Sequence, residues 1–269
     1  MRASRAIAGF VALLPIYVPL SAQWLHYPTA GIPRTRDGKP NLSAPTPKTA
    51  DGKPDLSGIW NVENDAGQSQ FLDIAPSVRG GLPYRPGMAE VAKARAAPPK
   101  TSEPITRCLP IGIVERSTWP GGLKKIVQIP GLILILNEYN TSYRQIFTDG
   151  RPLPVDPQPA WDGYSVGKWD GDTLVVETTG FKDGQWLDTE GNPLTDAAHI
   201  TERFRRVNFG HMEIEIAVND PKAYIRPWTT KVKQVLAADT DLVEFICAEN
   251  EKDRQHMDAA MQAPAGTAK

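Results

Sequence analysis

Short apolar-rich runs, most of them with polar residues in alternation, recur along the chain, nearly all of them from residue 124 onward. Alternation with a period of two predicts strands with one buried face. Such runs lie at 56–60, 125–129, 132–139, 142–148, 164–169, 172–179, 200–207, 212–218, 229–236 and 241–247. Turn residues separate most neighbours, above all Asp170-Gly171, which favours a tight hairpin. The pattern predicts a mainly β fold: an antiparallel meander that closes into a lipocalin-like barrel or a sandwich, with one short helix at 87–97.

The first residues predict a cleaved signal peptide at 1–22. Arg2 and a second arginine precede an apolar run at 6–20, which ends in the small residues Ser21 and Ala22. A membrane span is the weaker interpretation, because the run is shorter than the ~20 residues that a bilayer needs and contains prolines. The sequence therefore predicts a periplasmic or secreted protein with no membrane span.

A repeated phrase marks the start of the predicted domain. DGKPNLS at 37–43 returns fourteen residues later as DGKPDLS at 51–57, and only the second copy continues into Gly58-Ile59-Trp60. Residues 23–53 are rich in Pro, Thr, Lys and Gly, a composition that predicts a flexible linker. In this interpretation the first copy is a duplicate within the tether. The second opens a β-barrel domain at 54–253, and a disordered tail follows at 254–269.

Cys108 and Cys247 are the two cysteines of the chain. An even number of thiols in an exported protein usually pairs, which predicts a disulfide between them. Two buried free thiols are the alternative, and neither interpretation makes a cysteine a nucleophile.

The net charge and the motif content of the chain bear on which partners and cofactors to expect. The formal net charge of -1 gives no reason to expect nucleic acid or an acidic polymer as a partner. The sequence contains no HExxH, CxxC, GxGxxG, Walker or GxSxG motif. We therefore expect no cofactor, no metal and no nucleic acid, with a small molecule as the partner.

Several longer phrases are distinctive: DGKPDLSGIW, RCLP at 107–110, YRQIFTDGRPLP at 143–154, GYSVGKWDGDTLVVETTGF at 163–181, HITERFRR at 199–206 and CAENEKD at 247–253. Together they resemble a family of secreted bacterial proteins found in soil bacteria and proteobacteria, over most of the chain after residue 51. The resemblance implies one exported domain, and it implies no activity and no catalytic residues. The Gly-x-Trp at 58–60 separately resembles the first strand of lipocalin-like barrels, in which the tryptophan plugs one end.

The hairpin that begins with HITERFRR supplies the first candidate residues. Pairing Val207 with His211 puts Glu202 and Arg206 on the face that holds the apolar side chains, where burial raises the pKa of a carboxyl group towards general acid or base chemistry. A structural pair of Glu202 with Arg206 or with a tyrosine is the alternative. His199 begins the same strand and is interpreted either as a general base near the barrel opening or as a histidine bonded to a loop carbonyl.

Two more carboxylates lie beside tyrosines on partly apolar strands. Pairing Trp169 with Asp172 across the Asp-Gly turn places Tyr164 opposite Glu177. Repeated inside a barrel, such pairs would form the polar floor of an apolar ligand cavity. The alternative is that these strand ends emerge into water.

Glu138 and Tyr143 repeat the Glu and Tyr arrangement one hairpin earlier, on a face that also carries leucines. Trp161 and Trp186 sit among Pro, Gly or Asp in predicted loops, as do two further tryptophans, Trp119 and Trp228. Loop tryptophans can rim a cavity and stack on a ligand ring, or they can fold down and anchor their own loops.

The leading hypothesis is a cofactor-independent acid/base enzyme, a lyase, isomerase or hydrolase acting on a small amphipathic or sugar-like substrate. Glu202, Glu177 and His199 would transfer protons, and Tyr164 and Arg206 would orient the substrate. A non-catalytic carrier with the same cavity is the second hypothesis. The third is a cell-envelope interaction module whose barrel is filled by side chains.

Overall fold

A computed structural model describes residues 27–63, 74–98, 100, 102–119 and 122–247. The predicted signal peptide at 1–22 and the predicted tail at 254–269 lie outside these residues. No helix in the described ranges combines the length and the apolar character needed to cross a bilayer.

Nine of the described strands close into a barrel, which confirms the mainly β prediction. Their order around the barrel is β1, β11, β10, β9, β6, β5, β4, β3, β2, and β7 pairs separately with β8. The bounds are β1 Gly58–Glu63, β2 Lys124–Ile129, β3 Leu132–Asn137, β4 Ser142–Phe147, β5 Tyr164–Asp170, β6 Thr173–Thr179, β7 Gln185–Trp186, β8 Pro193–Leu194, β9 His199–Arg206, β10 His211–Asn219 and β11 Trp228–Leu236.

The β9–β10 hairpin has the predicted register, because strict alternation fixes its faces. Ile214 lies opposite Phe204, and both side chains are buried in the barrel. On the outer face Arg205 lies opposite Glu213 and forms an ion pair of 2.6 Å with it. Exposed ion pairs of this kind contribute at most about 1 kcal/mol to stability, so the apolar inner face supplies most of the free energy that stabilises the hairpin.

The topology departs from a simple meander at two places. β4 and β5 pair in parallel, joined by residues 148–163. Residues 241–247, which we predicted as a final strand, form no strand and contribute only a bridge from Phe245 to Tyr139. The reason is that β1 pairs with both β2 and β11, so closure leaves no edge for a further strand.

The helices cover one end of the barrel. The predicted helix at 87–97 is found as α2, Met88–Ala96. Three short helices were not predicted: α1 Ile74–Ser77, a 3-10 helix at Pro104–Arg107 and α3 Ile113–Thr118. Every residue of α3 is buried. Two hydrogen bonds join it to strands, from Lys124 Nζ to Arg116 O at 3.1 Å and from Gln234 Nε2 to Ser117 O at 3.0 Å.

Both copies of the repeated phrase fold into the same turn. In the first copy Thr35 N donates to Lys39 O at 2.9 Å, and in the second Thr49 N donates to Lys53 O at 2.8 Å. In each copy the threonine hydroxyl also bonds the aspartate two residues later. We predicted residues 23–53 as a flexible linker; the described part, residues 27–53, instead forms two ordered turns.

Each turn contacts the barrel through the basic residue at the same position of the repeat. Arg34 of the first copy forms an ion pair with Asp239, and the equivalent Lys48 of the second forms one with Asp172 at 2.7 Å. Gly210 N donates to Leu42 O at 2.8 Å, which adds backbone pairing to the first contact. The two turns cover the barrel end at which β9 finishes, called here the repeat end.

The disulfide between Cys108 and Cys247 is confirmed, with Cα atoms 5.5 Å apart. It joins the end of the 3-10 helix to the last described residue, across a sequence separation of 139 residues. The bridge therefore holds the segment after β11 against the helices.

The docking of the first turn can be tested at Gly210. An alanine there would overlap Leu42 Cβ and place its own Cβ 2.9 Å from Leu42 Cα, so the turn has to shift. We expect Gly210→Ala to lower the free energy of unfolding by about 1–3 kcal/mol. Amide hydrogen exchange should also accelerate at Thr35 and Asn41, whose N–H groups close the turn.

Gly122→Ala is the matched control, because its new Cβ would meet nothing closer than 3.7 Å. Unchanged exchange at Thr35 and Asn41 in Gly210→Ala would contradict the docking described here.

Candidate functional site

The barrel interior is filled by side chains rather than open to a ligand. Trp60 is fully buried at the repeat end and donates from Nε1 to Leu56 O at 3.0 Å. From the other end α3 lines the remaining space with Ile113, Arg116 and Ser117. That space is about 20 Å³, enough for one particle the size of a water molecule. This void is far smaller than the predicted ligand cavity with a polar floor.

Glu202 lies in this interior and is 1% exposed. Its carboxylate forms an ion pair with Arg144. Arg144 also donates to Ser165 Oγ at 3.0 Å and to Thr178 Oγ1 at 2.9 Å, so the guanidinium is held on several sides. The structural pair that sequence analysis gave as an alternative for Glu202 thus exists, but with Arg144 in place of Arg206.

Arg206 lies at the repeat end and binds backbone carbonyls. It donates to Ser57 O at 3.2 Å, to Phe209 O at 3.0 Å and to Asp55 O, so it fastens the second turn to the barrel. Its guanidinium lies 4.9 Å from the centre of the Trp60 ring. Burial lowers the pKa of Arg206 to about 10.

Three predicted residues lie outside the interior. His199 begins β9 on the face opposite Glu202 and is half-buried. Glu177 is exposed on the outer face of β6, and Tyr164 is 38% exposed on the outer face of β5. The predicted pairing of Tyr164 with Glu177 is wrong, and Glu177 pairs with Val166 instead. The two-residue turn is Gly171-Asp172 rather than Asp170-Gly171, and moving the turn by one residue moves every cross-strand partner by two.

Glu138 and Tyr143 also point away from the interior. Tyr143 is 62% exposed on β4. Glu138 accepts hydrogen bonds from Leu123 N at 3.2 Å and Val243 N at 3.0 Å, and so ties the segment after β11 to the loop before β2. The predicted inner face of β3 is wrong, since its isoleucines point inward and its leucines outward. Both faces of LILILN are apolar, so alternation could not distinguish them.

The four tryptophans pack against neighbouring side chains rather than rim an open groove. Two of them were wrongly predicted in loops: Trp186 lies in β7, and Trp228 begins β11. Trp186 is 3% exposed, with Arg95 5.7 Å above its ring. Trp161 lies under Lys182 at 5.6 Å. Trp119 contacts Tyr139 at 4.9 Å between ring centres, and Trp228 packs on Tyr224 at 5.6 Å. The predicted catalytic and binding residues are thus not brought together at one point.

Sequence analysis missed the charged residues that do meet inside the barrel, Arg116, Lys124 and Arg144. Lys124 is 6% exposed, and burial followed by the repulsion of Arg116 lowers the pKa of its ammonium to about 7. The buried lysine could have been predicted from the sequence. Two adjacent lysines begin β2, and alternation along a strand points one of them inward.

Glu115 on α3 is a second unusual group. It is 1% exposed, and neither carboxylate oxygen has a hydrogen-bond partner among the described residues. Burial, followed by the negative charges of Glu103 and Asp188, raises the pKa of Glu115 to about 8. Near neutral pH this side chain is therefore a buried neutral acid.

An open groove lies at the repeat end, between residues 27–32 and the barrel. Its volume is about 500 Å³. Residues that line it include Tyr27, Ile32, Ile59, Lys125, Phe209, Leu236 and Asp241. Tyr27 is 70% exposed at the rim, and Lys125 pairs with Asp241 at 2.9 Å. We call this cleft the repeat-end groove.

A second groove of about 460 Å³ lies under the second turn. Residues that line it include Ala50, Gln128, Ile129, Ile133 and Trp169. No group of His, Cys, Asp or Glu side chains in the described ranges is arranged to hold a metal ion.

Comparison with known proteins adds no functional assignment. No family model matches the chain, and no curated protein matches it. The resemblance to a secreted bacterial family stays a prediction.

The buried acid Glu115 makes stability depend on pH in a defined direction. Its pKa is about 8 in the folded protein against 4.5 for the free side chain, so between these values the folded protein holds a proton that the unfolded chain has lost. Between pH 4.5 and about 8, the carboxyl group of Glu115 therefore lowers the free energy of unfolding as pH rises, by about 1.4 kcal/mol per pH unit. Glu115→Gln removes it, so the variant should gain stability over wild type from pH 4.5 to about 8.

Urea unfolding of both proteins at a series of pH values measures this difference. Glu213→Gln is the control, because it makes the same substitution at a side chain that is 45% exposed on the outer face. A flat difference for Glu115→Gln would show that the carboxyl group is ionised when folded.

Proposed function

We propose that the protein binds a small amphipathic molecule in the repeat-end groove without converting it chemically. The groove itself carries the proposal: it offers about 500 Å³ of open space. Small-ligand sites typically measure roughly 300–1,000 Å³ and combine apolar walls with a few polar groups. The void lined by α3 and the barrel strands, at about 20 Å³, is too small for such a ligand.

The lining of the groove supports an amphipathic ligand. Ile59, Phe209 and Leu236 contribute apolar surface that a ligand would bury. Lys125 and Asp241 place one charge of each sign at the same cleft, where a polar head can hydrogen-bond to either. The apolar surface supplies affinity, and the charged pair supplies orientation.

The outer wall of the groove is held in place before any ligand arrives. Asp239 accepts a hydrogen bond from Thr29 N at 2.9 Å and forms an ion pair with Arg34. Asp239 N donates in return to Thr29 Oγ1 at 3.1 Å. A preformed wall lowers the entropy lost on binding, because less of the chain has to be ordered by the ligand.

The acid/base enzyme is less well supported than the carrier. Proton transfer requires groups that converge on one point of an open pocket. Glu202 lies in the closed interior, His199 lies at a strand end, and Glu177 lies on the outer surface. None of the three lines the repeat-end groove.

We infer that the protein works in an oxidising compartment, the periplasm or the exterior of the cell. The Cys108–Cys247 bridge supports this, because disulfides form and persist there and are rare in the cytosol. The predicted signal peptide agrees with the same location.

The groove can be tested with a fluorescent probe, anilinonaphthalene sulfonate, and with its uncharged analogue phenylnaphthylamine. Ala30 is exposed and lines the groove, so Ala30→Trp should fill it. We expect this variant to weaken binding of both probes by about tenfold, equivalent to about 1.4 kcal/mol. Ala50→Trp is the matched control, because it places the same side chain in the second groove.

Asp239→Asn tests the wall without filling the groove. It removes the carboxylate that holds Thr29 and Arg34, so probe binding should weaken while the barrel stays folded. Probe affinity that is unchanged in Ala30→Trp would contradict the proposed site, and weakening by Ala50→Trp alone would move the site to the second groove. If wild type binds neither probe, the interaction-module hypothesis takes precedence.

A further inference from the structure

The void inside the barrel has an unusual composition for so small a space. It measures about 20 Å³. The charged residues that line it are three cations and one carboxylate: Arg116, Lys124, Arg144 and Glu202. Most of the remaining lining is apolar and includes Ile126, Phe204 and Met212, so water does not screen these charges as it would at the surface.

Among the described residues, two of the three cations have a carboxylate partner, and the third does not. Arg144 forms an ion pair with Glu202, and Arg116 forms one with Asp162 at 3.0 Å. Lys124 has no carboxylate partner in the part of the chain that the structure describes. An uncompensated charge in a low-dielectric interior is strongly unfavourable, so either the lysine is neutral or a negative charge accompanies it.

Hydrogen-bond donors at the void are also unused. Lys124 Nζ donates to Arg116 O at 3.1 Å, and no other described hydrogen bond occupies the ammonium. Arg116 Nε is buried and has no partner among the described residues. Both cations line the void, and each keeps a donor group that no described hydrogen bond fills, as in a site for an anion.

We propose that this void binds one small monovalent anion of the size of chloride, held by Lys124 and Arg116. The anion balances the unpaired ammonium and accepts the unused hydrogen bonds. The apolar lining and the small volume exclude sulfate and organic acids. This site is separate from the repeat-end groove, and its test does not depend on the proposed function.

A water molecule beside a neutral Lys124 is the competing occupant. It could accept a hydrogen bond from the amine and donate one to Asn137 Oδ1, which is also without a partner in the described interior. The charged groups that act on Lys124 are Arg116, which disfavours the ammonium, and Glu202, which favours it. Water leaves that balance unchanged, whereas a bound anion favours the ammonium.

Urea unfolding at pH 6 separates the two occupants. The protein is first refolded in sodium gluconate, chloride or bromide at constant ionic strength, so that the closed barrel does not limit entry of the ion. Once chloride exceeds the dissociation constant, each tenfold rise should lower the unfolding constant of wild type by about tenfold. Gluconate is too large for the void and should give no such dependence.

Lys124→Met should abolish the chloride dependence. Lys231→Met is the matched control, because Lys231 is a 73% exposed lysine on the outer face of β11, and its substitution should leave the dependence intact. Equal chloride dependence in wild type and Lys124→Met would overturn the proposal.

Crystals of wild type grown in bromide give a second measurement that holds even if Lys124→Met fails to fold. An anomalous peak in the void within hydrogen-bond distance of Lys124 Nζ is the expected result. A void that contains only water, or nothing, in those crystals overturns the proposal whatever the unfolding data show.

Discussion

The pairing of β1 with both β2 and β11 is the constraint on which the rest of the structure depends. Trp60 lies opposite Lys124 on one side and Leu236 on the other, so this short strand joins the first and last parts of the barrel. Closure removes both sheet edges, and the residues after β11 have to leave the sheet. The second turn of the repeat directly precedes β1, so closure also fixes where the repeat end lies.

Closure around so many inward side chains leaves an interior that is packed and charged. Arg144, Glu202 and Arg116 place ionic groups where a purely apolar core would fit, and desolvation opposes their burial. Their hydrogen bonds to Ser165, Thr178 and Asp162 offset part of that cost. Buried pairs of this kind are weak evidence for stability. The larger clefts therefore lie outside the barrel, in the two grooves beside the repeat.

The sequence predicted those parts of the fold in which one face of a strand differs clearly from the other. The β9–β10 hairpin was predicted to its register, because apolar and charged residues alternate without interruption from Ile200 to Val218. The apolar run LILILN gave no such contrast, and its faces were assigned the wrong way round. The parallel pairing of β4 with β5 depends on contacts between distant segments, which no local pattern encodes.

The candidate site was harder to predict, because its residues act through partners on other strands. Glu202 was correctly placed on the inner face, but its partner Arg144 lies on β4 and is 58 residues away in sequence. Lys124 could have been found from the lysine pair that opens β2. Glu115 could not, since a six-residue helix inside the barrel leaves no periodic signal of its own. The repeat was recognised as a duplication, but its docking depends on Asp172 and Asp239, far along the chain.

The doubled turn assigns two structural tasks to two copies of one unit. The second copy leads into the strand that closes the barrel, whereas the first copy contributes no strand to it and only covers its end. Substitutions in residues 27–32, which the first copy positions, can therefore reshape one wall of the groove while the core of the barrel stays as it is. The duplicated fourteen-residue unit thus supplies one turn that leads into the barrel and one that lies outside its strands.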